Sequence, residues 1–192
     1  MPTTATPTLL TDPGYLFYAP LLTSIPTNTV SGSKFTDAWS GSWISIGATE
    51  DGSEFTYSIN VEKMVVAEFF DPIKYATTER SGMFSWHMAD WTLTKLKFAL
   101  NGGTLTVVSG TGATQLNKLV APAPGAEIRQ MLGWESLDAT VRIIVYQALQ
   151  GGDVQMSFKK APDFAVIPVE FNFEVPSGGQ PFEFYSAGTV RA

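Results

Sequence analysis

The stretch GSEFTYSINVEKMVVAEFFDP, residues 52–72, decides how the rest of the chain is read. It begins as a regular strand. Phe55, Tyr57, Ile59 and Val61 alternate with Thr56, Ser58, Asn60 and Glu62, the period-two pattern of a sheet with one buried face and one wet face. The phase breaks at Glu62-Lys63, and Met64, Val65, Val66, Ala67, Phe69 and Phe70 then crowd together. A run that is apolar on both faces needs a cover on each, and a single domain's core covers only one. Asp71-Pro72 ends the run, because proline cannot donate to a strand ladder.

The same alternation recurs on both sides of this stretch. GYLFYAPL (14–21) is a short apolar segment, and PTNTVSGSKFTDAW (26–39) is rich in turn residues and reads as a loop. SWISIGATEDGSEFTYSINVE (42–62) reads as two strands joined at EDGS, because Asp-Gly suits a primed hairpin turn. RSGMFSWHM (80–88) puts Phe84, Trp86 and Met88 on one face. In ADWTLTKLKFALNGG (89–103), Leu93, Leu96, Ala99 and Leu100 fall at helical spacing. Asp90 or Thr92 can cap that helix, and Asn101-Gly102-Gly103 stops it with glycine in the left-handed position. GTLTVVSGTGAT (103–114) is a strand and a loose turn, and NKLVAPAPG (117–125) a proline-punctuated connection. AEIRQMLGWES (126–136), ATVRIIVYQAL (139–149) and DVQMSFKK (153–160) predict a meander, with turns at Leu137-Asp138 and QGGD. IPVEFNFEV (167–175) alternates Val169, Phe171, Phe173 and Val175 against Glu170, Asn172 and Glu174. Many short strands, one helix and frequent turns predict a mainly β fold, an antiparallel sandwich or barrel with a helix on its flank.

The totals bound what such a chain does. At 192 residues it suits one domain, read as spanning 1–192 with a flexible N-terminal arm (1–14) and a C-terminal arm (176–192). There is no cysteine, so disulfides and thiolate metal sites are excluded. Only 16% of residues are charged, which suggests that partners cover part of the surface. The net charge of −6 and the absence of a basic stripe argue against tight nucleic-acid binding. No apolar run approaches the ~20 residues that cross a bilayer. The Pro/Thr-rich start has neither the basic region nor the apolar core of a signal peptide.

No constellation of residues points to catalysis. His87 is the only histidine, and it lies opposite Trp86 and Met88 on its strand with no signature of a nucleophile beside it. SGTGAT (109–114) lacks the Lys-Ser/Thr ending of a phosphate loop. Asp51, Glu54, Asp71 and Glu79 do not follow a calcium-loop pattern. Glu170 and Glu174 share a strand face, as a glycosidase pair would, but such glutamates are commonly just solvated. Trp39, Trp43, Trp86, Trp91 and Trp134 suit either a sugar-stacking platform or ordinary packing. No enzyme activity, cofactor or metal is expected.

The ordered series GYLFYAPL, PTNTVSGSKFTDAW, WISIGATEDGSEFTYSINVE, VAEFFDPIKYATTERSGMFSW and LTKLKFALNGG, from Gly14 to Gly103, resembles the major tail tube proteins of long-tailed bacteriophages infecting actinobacteria. The likeness continues more weakly through the C-terminal strands. The resemblance implies a sandwich with a flanking helix that assembles into hexameric rings, stacked as a virion tube. That tube would surround a tape-measure protein, meet tail terminator and distal tail proteins at its ends, and later pass viral DNA without binding it. Assembly would take place in the host cytoplasm, with no membrane insertion. By the same resemblance, EFFDPIKYATTER (68–80) is a long inter-strand loop reaching the next ring, with Phe69, Phe70, Asp71, Pro72, Ile73 and Tyr75 as contacts between subunits. Ser58, Asn60, Glu62, Glu170, Asn172 and Glu174, the polar faces of the two longest alternating strands, are the lumen-facing candidates. The alternative function is a β-sandwich decoration or carbohydrate-binding module of a virion.

Overall fold

The computed structural model of the protein describes residues 13–65, 71–90, 92–156 and 165–188. Strands dominate and every pairing is antiparallel. In chain order they are β1 (Gly14–Pro20), β2 (Val30–Ser31), β3 (Lys34–Phe35), β4 (Ile44–Ser45), β5 (Thr49–Met64) and β6 (Lys74–Met88), followed by the helix α1 (Leu93–Ala99). Then come β7 (Thr104–Ser109), a 3-10 turn (Gly112–Thr114), β8 (Leu116–Val120), β9 (Gln130–Ser136), β10 (Val141–Gln150), β11 (Ile167–Phe173) and β12 (Phe182–Ser186).

One sheet runs β4-β1-β9-β10-β11-β6-β5, with β12 as an additional partner of β10. The strand β10 is where it bends. Val141–Val145 pair with β12, whereas Ala148–Gln150 pair with β11, and the register to β9 shifts between Val145 and Ala148. A bulge there turns the strand and lets its two halves serve different neighbours. The sheet curls as a result, but it does not close into a barrel.

The concave face holds the main core: Leu16, Tyr18, Phe84, Trp86, Leu132, Trp134, Ile143, Val169 and Phe171, all nearly solvent-free. The helix α1 packs on this face. Phe98 stacks on Phe171 at 4.7 Å and on Trp86 at 6.2 Å, and meets Tyr18 at 4.3 Å. One helical side chain thus joins β1 on one limb of the sheet to β6 and β11 on the other. Helical spacing of leucines predicts the helix but misses this residue, because Leu93, Leu96 and Leu100 remain only half-buried. The Thr92 side chain accepts the Lys95 N–H and caps the N-terminus. At the C-terminus, Asn101 takes the left-handed position expected for glycine, with φ 56°. Its N–H bonds to Phe98 O and the Gly102 N–H to Lys97 O, the two bonds of a Schellman ending.

The convex face carries a smaller core of Ala19, Trp43, Met131 and Ile144, flanked by Phe17, Ile25, Trp39, Tyr146 and Tyr185. The loop 21–43 covers it, anchored by Arg142, which is 1% exposed. The guanidinium donates to Glu135 Oε2 at 2.5 Å, Asp37 Oδ2 at 3.0 Å, Asp37 O at 2.5 Å and Asn28 Oδ1 at 3.2 Å, and lies over the Phe35 ring. A cation this deep requires paired, hydrogen-bonded counter-charges. Burial alone would raise the Asp37 carboxyl, but the Arg142 hydrogen bond and charge, with the Asn28 N–H, outweigh it and hold the group below the usual carboxylate range.

Several sequence expectations need correcting. Glu50–Ser53 is not a turn but part of β5: Gly52 adopts φ +83° where the register to β6 slips between Thr49 and Ser53. Asp-Gly here makes a bulge, the other use of a glycine with positive φ. Leu116–Val120 is a strand paired with β7 rather than part of a connection. Asp153–Met156 forms no third meander strand, and the remainder of that segment, 157–160, lies outside the described residues. Instead β10 takes β11 and β12 as neighbours. The expected C-terminal arm is therefore partly built into the sheet, since the aromatic Phe182–Ser186 forms β12.

Candidate functional site

The hairpin of β5 and β6 extends well past the rest of the sheet. The strand β6 contacts β11 only from Met83 to Met88, while its pairing with β5 continues to Lys74 opposite Met64. Among the described residues the hairpin is two strands wide beyond Gly82, and the Ile73 N–H bonds to Met64 O near its tip at 3.0 Å. Residues expected in a long loop, Lys74–Arg80, belong instead to β6. Tyr75, Thr77 and Thr78 favour extended backbone, and pairing with β5 satisfies their main-chain groups. The strand β5 runs unbroken through Glu62-Lys63, and the irregularity sits opposite it, where Thr78 is the extra residue between partners of Asn60 and Val61. The free edge of β5 also ends the sheet among the described residues.

Cross-strand register sorts the side chains into two faces. Tyr57 and Gly82, Ile59 and Arg80, Val61 and Thr77, and Lys63 and Tyr75 share one face, continuous with Phe55 and Phe84 of the core. Beyond the root no described residue covers it: Ile59 is 50% exposed, Val61 56% and Tyr75 64%. Ile73, just before β6, is 59% exposed. Asp71 is exposed and Pro72 half-buried. Phe69 and Phe70 lie outside the described residues.

The opposite face is polar. Ser58 lies opposite Ser81, Asn60 opposite Glu79 and Glu62 opposite Ala76. Through Ser85 and Met83 of β6, the same face reaches Glu170 and Asn172 on β11. Five of the six lumen candidates, drawn from two strands far apart in sequence, therefore share one sheet surface. The middle strand of this surface is β6, which the sequence predicts as a strand but does not place among the lumen-facing candidates, although Ser81, Met83, Ser85 and His87 alternate with Gly82, Phe84, Trp86 and Met88. The Asn60 side-chain amide donates to Glu79 at 3.0 Å. Glu54, Glu62, Glu79 and Glu170 make this face acidic, with Lys74 near the tip as its cation.

The sixth candidate, Glu174, follows β11 and is engaged elsewhere. Its carboxylate accepts from Arg129 at 2.7 Å and from Gln147 at 2.6 Å. The Arg129 hydrogen bond, followed by that of Gln147, lowers its proton affinity despite partial burial.

At the root of the polar face, Asp51, Glu54, His87, Asp153 and Glu170 line an open groove of about 490 Å³. The His87 Nδ1 is 3.7 Å from Glu50 Oε2, and Glu50, Asp51 and His87 could together face a cation, but all three are solvent-exposed. No described hydroxyl hydrogen-bonds to His87. Of the tryptophans, Trp43, Trp86 and Trp134 are buried, and Trp39 stacks on Phe17 at 4.6 Å while its indole N–H donates to Glu135 at 2.7 Å. Trp91 lies outside the described residues. No helix among the described residues is long and apolar enough to cross a membrane. No protein-family model matches the chain, and no curated protein matches it either.

Proposed function

We propose that the protein is a structural subunit that assembles with copies of itself into a tube, the tail tube of a long-tailed bacteriophage. The observation that carries this reading is the β5–β6 hairpin, a two-stranded extension that, among the described residues, leaves Ile59, Val61 and Tyr75 uncovered on one face, has an acidic polar face on the other and ends in a free edge. A two-stranded ribbon is at best marginally stable in water by itself. A neighbour that covers its apolar face and pairs with its edge would supply the missing burial. Six copies in a ring, with the Ser58, Asn60, Glu62, Glu170 and Asn172 face turned inward, would line a channel with carboxylates. Such a wall repels a DNA backbone and lets it slide. Catalysis and cofactors have no place in this reading. The tape-measure, terminator and distal tail proteins are the partners it requires.

Electron microscopy of the purified protein over a concentration series tests it. The expected result is rings and stacked rings with a central channel, with apparent mass in size-exclusion chromatography rising with concentration. A protein that stays monomeric throughout the series would sink the proposal.

A further inference from the structure

Two residues of the Asp/Asn type precede a glycine, in Asp51-Gly52 and Asn101-Gly102, and the fold treats them in opposite ways. A glycine leaves its main-chain nitrogen unhindered by a Cβ, so that nitrogen can attack the side-chain carbonyl carbon of the residue before it. We propose that Asp51 is a site of spontaneous modification in the folded protein, isomerising to isoaspartate, whereas Asn101 is locked against the equivalent deamidation.

Asp51 lies in the bulge at the root of β5. Glu50, Asp51 and Gly52 have no register partner on β6, and pairing resumes at Ser53. Asp51 is exposed. His87 approaches Glu50 instead, at 3.7 Å, and no hydrogen bond among the described residues holds the Asp51 carboxylate. Gly52 adopts φ +83°, and a Cβ there would have only the Pro13 side chain within 4 Å. The reaction needs water alone. The Gly52 nitrogen bonds to Asp51 Cγ, and its proton and the carboxyl hydroxyl leave as water, giving a succinimide. A second water reopens the ring. Cleavage between the nitrogen and the original main-chain carbonyl carbon leaves the chain running through Cβ and Cγ, with an added methylene and unchanged charge. That methylene falls where the register to β6 already slips, so the ladder from Ser53 onward keeps its partners. The displaced carboxylate belongs to the groove that Asp51 lines with Glu54, His87, Asp153 and Glu170.

Asn101 has the same chemistry with ammonia as the leaving group, but both reacting parts are held. Its side-chain amide donates to Gln150 O at 2.6 Å, and its side-chain carbonyl accepts the Gln150 N–H at 2.9 Å. The Gly102 nitrogen, which would attack, is buried and donates to Lys97 O at 2.9 Å. Ring closure there must first break the joint between the end of α1 and the end of β10.

The test is to age the full-length protein at neutral pH for several weeks, folded and in urea, and to map its peptides by mass spectrometry. Methyl transfer from S-adenosylmethionine by an isoaspartate methyltransferase marks the product. In the folded protein the label should accumulate at position 51. Asn101 should deamidate at least about tenfold more slowly than in urea, because it reacts only through local opening. Asp51→Asn sets the same amide at both sites: position 51 should then deamidate in the folded chain at close to its rate in urea, with Asn101 still protected. Position 51 protected as strongly as Asn101, or Asn101 reacting as fast folded as unfolded, would overturn the proposal.

Discussion

The two halves of the β5–β6 hairpin belong to the same strands but differ in what covers them. Near the root, Phe55 and Phe84 meet edge-on at 5.8 Å, and Phe84, Trp86 and Phe171 are within the core. Toward the tip the same face continues as Ile59, Val61 and Tyr75, half or more exposed. Strand pairing is continuous across the boundary, apart from one bulge. Hydrogen bonding therefore does not distinguish the halves. What differs is the third strand, because β11 stops supporting β6 at Met83. The root is packed into the core, and on the proposed reading the exposed tip is where another copy would bind.

Substitutions at the root and in the core should test that division most severely. Phe98→Ala removes the ring that joins the two limbs of the sheet and should destabilise the monomer by ~3–5 kcal/mol, read from urea unfolding. A loss under about 1 kcal/mol would show that the helix merely decorates the sheet. Arg142→Ala leaves the Glu135 and Asp37 carboxylates without their counter-charge and should cost ~3–5 kcal/mol, reported by the fluorescence of Trp39 and Trp43. The same anchor predicts a pH dependence. The Asp37 carboxyl titrates lower in the folded chain than in the unfolded one. Its stabilisation is complete above the unfolded value, near pH 4, and is lost as pH falls through the folded one. The stability gap between wild type and Asp37→Asn should therefore narrow between pH 7 and pH 3. A gap that widens on acidification would contradict this sign.

Gly82→Ala probes the boundary itself. The added methyl meets the Phe173 ring, and the overpacking should cost ~1–3 kcal/mol. At the tip, Ile59→Ser with Tyr75→Ser should alter unfolding by no more than about 0.5 kcal/mol per site while suppressing assembly in electron micrographs. Equal damage to folding and assembly would return the tip to the core and erase the contrast. The smallest effect is expected from Glu174→Gln, which removes a partly exposed pair with Arg129; whatever stability it costs should shrink with added salt.

Much of this contrast was visible in the alternation of residues. Phe55 to Val61 and Phe84 to Met88 announce strands with one apolar face, and Val169 to Phe173 announces β11. Where local signals misled, a tertiary partner had decided otherwise. Asp51-Gly52 has the chemistry of a hairpin turn, yet β6 lies alongside and converts it to a bulge. Lys74–Arg80 falls within the long loop that the resemblance implies, yet β5 supplies its ladder. Phe182–Ser186 sits between glycines and prolines, yet β10 offers it an open edge.

By itself, the sequence determined the class of fold, because side-chain periodicity is a local property and period two leaves few alternatives to a sheet. It also determined which residues are polar and which apolar on each strand, and hence the composition of each face. Only the tertiary structure decided which strands lie side by side. Pairing order and register depend on contacts between residues distant in the chain, and no local pattern encodes them. That order brings Glu170 and Asn172 next to Ser58 and Asn60 through β6, diverts Glu174 to Arg129, and leaves the tip of one hairpin without a cover among the described residues.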